Sequence, residues 1–321
     1  MNKLILIIVF SSALLIHGQK LETGKTLEEI VFTDLFNTSM ADSVSCYRIP
    51  SLVTAPNGDL IAAIDERVPS CGDLKWSKEI NIVIRRSSDN GKTWSAIERV
   101  VDFPYGKSAS DPSMVVDTKT NEIFMFYNYM DLDKELNVYY LHVTKSSDNG
   151  LTWSKPEDIT SQIAKPEWHN DFKFITSGRG IQTKDGRLLH CMVNLESGMH
   201  VFGSDDHGKS WFFIDSPLKP ADESIRYTSI EDGYKKNRLL FSNANSKDQR
   251  ENLTVKISYD EGKTWSKGKT VYSGSSAYSS LTILKNGDIG LFFEKDNYTE
   301  NPFVSFSLEW LTDDKDRLEK R

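Results

Sequence analysis

Three cysteines in 321 residues are too few for a disulfide scaffold, so a folded core has to come from apolar packing. Basic stretches are missing too. The net charge is −7, the isoelectric point is near 5.5, and no run of Lys or Arg is available to neutralise phosphates. That balance excludes nucleic acid as a partner and requires any anionic ligand to be met by a local cluster of arginines. Long apolar runs are confined to one, Leu4–Ile16, whose length of about 13 residues falls short of the roughly 20 that a spanning helix needs. With Lys3 before it and His17-Gly18-Gln19 after it, Met1–Gly18 reads as a secretory signal peptide. No transmembrane segment is expected once it is removed, and the mature chain is expected to be secreted, periplasmic or lysosomal according to the host. That route permits a disulfide bridge. It also makes the sequons at Asn37, Asn252 and Asn297 usable where the host glycosylates. Helical periodicity is scarce, and no helix of consequence is visible.

What the chain does have is repetition. SSDNGKTW from Ser87 returns as SSDNGLTW from Ser146, SDDHGKSW from Ser204 and SYDEGKTW from Ser258, at intervals of 54 to 59 residues. A period near fifty residues marks a radial or linear array. In each copy an Asp and a Ser or Thr can bond the turn's own backbone, a Gly supplies a positive φ, and the closing Trp can bury against neighbouring strands. Four such boxes at four places are folded turns, because one active site cannot use all of them.

A second periodic signal, a turn followed by an apolar strand, occurs five times: from Asn57, Asn121, Asp185, Lys236 and Asn286. Each leads through a loop and, in four of the five, through an alternating strand into a box. Every repeat thus offers about four strands in a meander, the blade of a β-propeller. A linear β-solenoid competes less well, since its coils are shorter. The fifth repeat lacks a box, as expected if Glu28–Phe36 adds an N-terminal strand to the last blade. The expected organisation is a signal peptide over 1–18, an all-β propeller over 19–311 with five blades or six with one incomplete, and a charged tail over 312–321 that is frayed or briefly helical.

Strand ends on one face of a propeller converge on a mouth, so the candidate site residues are polar groups in or beside apolar strands. They are Arg48 in Tyr47-Arg-Ile-Pro, Arg67 in Asp65-Glu-Arg, and Asp73 in the loop Pro69–Leu74. Asp111 in Ser110-Asp-Pro-Ser, Arg250, Tyr278 and Glu294 complete the set. Taken singly, each is more often a solvated residue or a structural ion pair.

The ordered set is what carries information. Arg-Ile-Pro ahead of the boxes, then DER and GD, SDPS, NLTVKISYDEGKTW, SAYSSL and FFEKDNYTE, resembles the exo-α-sialidase (neuraminidase) family over nearly the whole mature chain. The resemblance implies a six-bladed propeller acting on terminal sialic acid of glycoproteins, glycolipids or oligosaccharides, with no cofactor and no metal. It implies Arg48 and Arg250 as two of three arginines on the substrate carboxylate, Asp73 as acid/base, Tyr278 as nucleophile, and Glu294 as the carboxylate that steadies Arg48. Arg67 and Asp111 match further substrate-binding positions. The residue types suit such a substrate, since guanidinium forks bind a carboxylate bidentately and a tyrosine nucleophile avoids the repulsion a carboxylate would meet beside that anion.

The match breaks after the third box. Trp211 is followed closely by Asp222-Glu-Ser-Ile-Arg-Tyr, as if one blade's first strand ran straight into the next. Glu223 fits the tyrosine-activating glutamate, whereas nothing clearly fits the remaining arginine; Arg226 and Arg179 are weak candidates. Two readings therefore stand: an active sialidase with a compacted propeller, and a catalytically impaired protein that binds sialylated or other acidic glycans. A structural propeller would be preferred if the arginines lay outside the mouth. Cys46 and Cys71 each precede a proposed site residue by two positions, so a bridge and two free thiols are equally open. Cys191 is expected to be buried and unpaired.

Overall fold

The computed structural model describes residues 30–218 and 224–321, except for the side chains of 215–218 and 224. Residues 1–18, expected to be a signal peptide, and Glu223 lie outside the described residues.

The five turn-plus-strand signals open five antiparallel meanders. The first blade comprises Cys46–Thr54, Leu60–Val68, Glu79–Ser87 and Glu98–Val101. The second comprises Lys107–Asp117, Glu122–Asp131, Tyr140–Ser146 and Glu157–Asp158. In the third, a broken inner strand (Lys173–Ile175 and Ile181–Gln182) precedes Leu188–Asn194, Gly198–Ser204 and Phe212–Leu218. The fourth runs Ser224–Thr228, Arg238–Ala244, Glu251–Ser258, then the first half of Lys269–Ile283. The second half of that long strand opens the fifth blade, continued by Ile289–Lys295 and Glu300–Phe306. Thr33–Asn37 completes this last blade, pairing Thr33 with Phe303, so the N-terminal strand closes the ring as expected. A sixth four-stranded meander is not present among the described residues.

The boxes are the predicted turns with one addition. Ser87 Oγ donates to Asp89 and accepts from Gly91 N at 2.9 Å, while Asp89 Oδ1 accepts from Thr93 N at 2.9 Å; the same bonds recur from Ser146, Ser204 and Ser258. The residue before the glycine is left-handed as well, with φ of 60° at Asn90, Asn149, His207 and Glu261.

Box packing marks a seam. Gly91 abuts Phe303 of the fifth blade, Gly150 abuts Ile61 of the first, and Gly208 abuts Phe124 of the second. Each of these boxes docks on the blade before it. Gly262 instead faces Leu239 and Trp265 of its own blade. The large apolar clusters agree: they join blades five and one, one and two, two and three, and four and five. Among the described residues, none joins three to four. The inner strand of the third blade reaches across the axis instead, where Ser51 Oγ donates to Gly178 O at 2.7 Å and Arg179 Nη1 donates to Leu281 O at 3.3 Å. The seam falls where the sequence pattern breaks.

Of the two expectations for the tail, frayed or briefly helical, the structure departs from the first. A short helix, Leu308–Thr312, is capped by Ser307 and ends where Asp313 and Asp314 turn left-handed. The chain then docks on the fourth blade, with Lys235 N bonded to Glu319 O and Arg321 N to Gly233 O. Most of its charged residues are exposed, as their type suggested, but Asp316 is buried and paired. Fully buried Arg238 grips Asp316 through Nε at 2.7 Å and Nη2 at 2.8 Å, and Lys236 and Tyr259 add to the same carboxylate. Burial alone would raise the Asp316 carboxyl, but the bonds from Arg238, Lys236 and Tyr259 outweigh it and hold it well below the usual range. A carboxyl lowered by folding contributes stability that is whole above its unfolded value, about 3.9, and is lost as pH falls through the folded one. The tail is therefore expected to stay docked at pH 4 and to loosen only in stronger acid, while Asp316→Asn loosens it at neutral pH. Hydrogen exchange of C-terminal peptides reads both. An Asp316→Asn chain as protected as its parent would mean that this fork does not hold the tail.

Candidate active site

The mouth is shaped by three interruptions of the inner strands. Register shifts fall between Arg48 and Ser51, between Ser110 and Ser113, and between Ser276 and Ser279. Such bulges re-aim side chains, here those around Arg48, Asp111 and Tyr278. Ile49 and Asp111, each before a proline, have φ of 64° and 60°. Left-handed backbone is costly for a β-branched residue and persists only where its surroundings over-determine it. A polar group from the adjacent blade's second strand supplies the hold. Ile49 N–H donates to Glu294 Oε1 at 2.9 Å, and Asp111 N–H donates to Asp65 Oδ1 at 2.9 Å. In the third blade, Ile175 N–H donates to Asn128 Oδ1 at 2.8 Å. Glu294, Asp65 and Asn128 are all fully buried.

Around these bulges Arg48, Asp73, Asp111, Arg250 and Tyr278 line one cavity of about 330 Å³, with Trp76, Tyr139 and Phe172 on its wall. Glu294 lies beneath: its Oε1 accepts from Arg48 Nε at 3.2 Å and its Oε2 from Tyr278 N at 3.2 Å. Asp73 is exposed in its loop, with Oδ1 at 2.6 Å from Arg67 Nη1 and 3.7 Å from Arg48 Nη1. Arg67 itself is fully buried and does not line the cavity; it spans from Asp65 to Asp73 and the Cys71 carbonyl. Burial alone would lower the Arg67 guanidinium, but Asp65, Asp111 and Asp73 outweigh it and keep it charged. Burial pushes the Asp111 carboxyl up, and Asn128 Nδ2 donates to it at 3.0 Å. A disulfide joins Cys46 and Cys71 with Cα atoms 5.6 Å apart, tying the Asp73 loop to the strand that carries Arg48. Cys191 is free but half-buried rather than buried, because it falls on the less covered face of an alternating strand.

Neither spare arginine enters the cavity. Arg226 pairs with Glu261 of the fourth box, and Arg179 bonds Leu281 O near the axis. Sequence reasoning overlooked Tyr298, which lies against both Arg48 and Arg250. It also overlooked the buried capping residues Asp65 and Asn128. A periodic signal could have found those two: each of Asp65, Asn128 and Glu294 stands seven residues after a left-handed turn residue, Gly58, Asn121 and Gly287 respectively. No group of three or more His, Cys, Asp or Glu among the described residues is arranged to hold a metal ion, and none of their helices is long and apolar enough to cross a membrane.

Comparison with known proteins places this geometry. Residues 49–267 match the family model described as a BNR repeat-like domain. The chain is 30% identical, over 83% of its length, to a sialidase of Micromonospora viridifaciens, and 28% identical, over 79%, to a sialidase of Bacteroides fragilis. It spans 52% and 60% of those two proteins. Among solved structures, the Hadza microbial sialidase Hz136 aligns with a TM-score of 0.74 at 24% identity, covering 84% of this chain and 67% of that one. The intramolecular trans-sialidase from Ruminococcus gnavus, in complex with oseltamivir carboxylate, aligns with a TM-score of 0.71 at 18% identity, covering 92% and 99%. At those identities the solved structures speak for the fold, a sialidase-type β-propeller. By its match across residues 49–267, the chain belongs to the BNR repeat-like domain family, the sialidase family built on Asp-box repeats.

Proposed function

We propose that the protein is an exo-α-sialidase that hydrolyses terminal sialic acid from glycoproteins, glycolipids or oligosaccharides with retention of configuration. The observation that carries this reading is the meeting of Arg48, Arg250, Asp73 and Tyr278 in one cavity. Arg48 and Arg250 bind the sugar carboxylate, and in doing so draw Arg48 away from its 3.7 Å approach to Asp73. The Tyr278 oxygen attacks the anomeric carbon and its proton passes to Glu223. The bond to the aglycone oxygen breaks as that oxygen takes the proton of Asp73. Water, deprotonated by Asp73, then attacks the sialyl–tyrosine carbon; the phenolate leaves and recovers its proton. Asp111 serves the sugar's side chains, and Arg67, buried outside the cavity, positions Asp73. Asp73 has to bring its proton to the first step as general acid.

A second reading has an observation of its own: among the described residues, no third guanidinium lines the cavity. An under-compensated carboxylate can cost several kcal/mol in the transition state, leaving a protein that binds acidic glycans without turning them over. A fluorogenic sialoside, with ¹H NMR of the first sugar released, tests both. Turnover giving the α-anomer is expected. Saturable binding of 3′-sialyllactose without turnover would replace the hydrolase by the binding protein, and neither binding nor turnover would sink both.

A further inference from the structure

We infer that Tyr298 is a positioning residue that locks the two guanidiniums of the cavity into a single anion-binding fork, in the place where a third arginine would otherwise organise them. This rests on the sialic-acid reading above for its ligand, but not for its geometry. The Tyr298 ring lies over the Arg48 guanidinium, 4.1 Å from centroid to Cζ. Its hydroxyl accepts from Arg250 Nη1 at 3.2 Å. One side chain thus touches both cations, one through its π face and one through its oxygen. That places electron density between two like charges that would otherwise repel.

The arrangement positions rather than competes. A carboxylate is bound by the in-plane N–H groups of a guanidinium, whereas the tyrosine ring covers a face. Arg48 keeps its Nε on Glu294, and its Nη1, held to Asp73 only at 3.7 Å, is available to turn to an anion. Arg250 commits one nitrogen to Tyr298.

The backbone that delivers Tyr298 is built for it. Asp296, Asn297 and Tyr298 form a run of three non-glycine residues with φ of 49°, 55° and 71°, between the strands Ile289–Lys295 and Glu300–Phe306. Three consecutive left-handed residues are costly and persist only where the surroundings fix them. Here Asp296 N is bonded to Ser275 O at 2.9 Å, Thr299 Oγ1 to Asp296 O at 2.8 Å, and the Asp296 carboxylate is held by Lys295 and Tyr272. A simple two-residue hairpin would join the same strands without bringing an aromatic ring against the two arginines.

The test compares the full chain with Tyr298→Phe, which keeps the ring and loses the oxygen, and Tyr298→Ala, which loses both. Binding of 3′-sialyllactose is measured by calorimetry, with neutral lactose as control. In Tyr298→Ala the dissociation constant and KM should rise about tenfold, in Tyr298→Phe about threefold, with kcat changing less than KM and lactose unaffected. An unchanged dissociation constant in Tyr298→Ala would overturn the inference, as would loss of kcat at unchanged affinity, which marks a group acting on the reacting atoms. A readout without sugar separates this from the functional reading: ¹⁵N relaxation at Arg48 and Arg250 Nε should show both guanidiniums more mobile in Tyr298→Ala. If the parent binds no sialyllactose but the arginines are loosened, the sialidase reading fails and the positioning role stands. If their mobility is unchanged, the positioning role fails. Unfolding midpoints of the variants exclude a folding defect, and Tyr298→Phe remains informative if the alanine variant does not fold.

Discussion

Tyr278→Phe is expected to lower turnover of a fluorogenic sialoside by about a thousandfold while leaving KM near that of the parent. The substitution removes only the oxygen. The ring stays beside Arg48 and Arg250, whose guanidinium carbons stand 6.0 and 5.4 Å from its centroid, so the carboxylate fork keeps its wall. Tyr278, nearly half exposed at the bulge, is free to reach a bound sugar in the proposed mechanism. A thousandfold loss corresponds to about 4 kcal/mol of transition-state stabilisation, within reach of one nucleophile. Steady-state kinetics and a search for a covalent sialyl adduct by intact mass check it. A variant that kept a tenth of parental turnover would exclude attack by this oxygen, and water would have to be the direct nucleophile.

Glu294→Gln carries the largest expected effect on stability, a loss of about 3 kcal/mol. The glutamate has no exposed surface, and three donors share its two oxygens: Arg48 Nε and Ile49 N on one, Tyr278 N on the other. An amide of the same shape replaces one acceptor by a donor. Whichever way it is turned, a buried N–H then faces another N–H, and Arg48 loses its counter-charge. Ile49 also loses part of what holds its left-handed backbone. Urea unfolding should show a lower midpoint at unchanged slope, and weaker sialyllactose binding should accompany it. An unshifted midpoint would mean that Glu294 is a bystander to the bulge.

The architecture was legible where the signal is local. Box turns and apolar hairpins are written in a few adjacent residues, and five such hairpins gave five blades. The closing strand at Thr33–Asn37 followed from a count, since the last repeat had no outer strand of its own. Arg48, Arg250, Asp73, Tyr278 and Glu294 stood out as polar groups in or beside apolar strands. What was hidden is set by register. Whether Tyr278 or a neighbour faces the mouth depends on bulges, and a shift of one residue sends a side chain to the opposite face. Tyr298 was hidden because nothing in Asp-Asn-Tyr-Thr signals that three residues will turn left-handed together. The tail misled because Asp316 looks as solvated in sequence as its charged neighbours, whereas the Arg238 that buries it comes from a distant strand.

The pairing of Thr33 with Phe303 has a temporal consequence. During synthesis the strand that finishes the last blade emerges before any blade exists, and its partner emerges after all the others. It must remain unclaimed while four meanders assemble from neighbours in sequence, each at small loop-closure cost. The final event is then the least local contact in the molecule, and slow folding is the rule for such contacts. Until it occurs, Phe36 has no Phe292 to pack against, and the fifth blade's outer edge is open to any strand that arrives first.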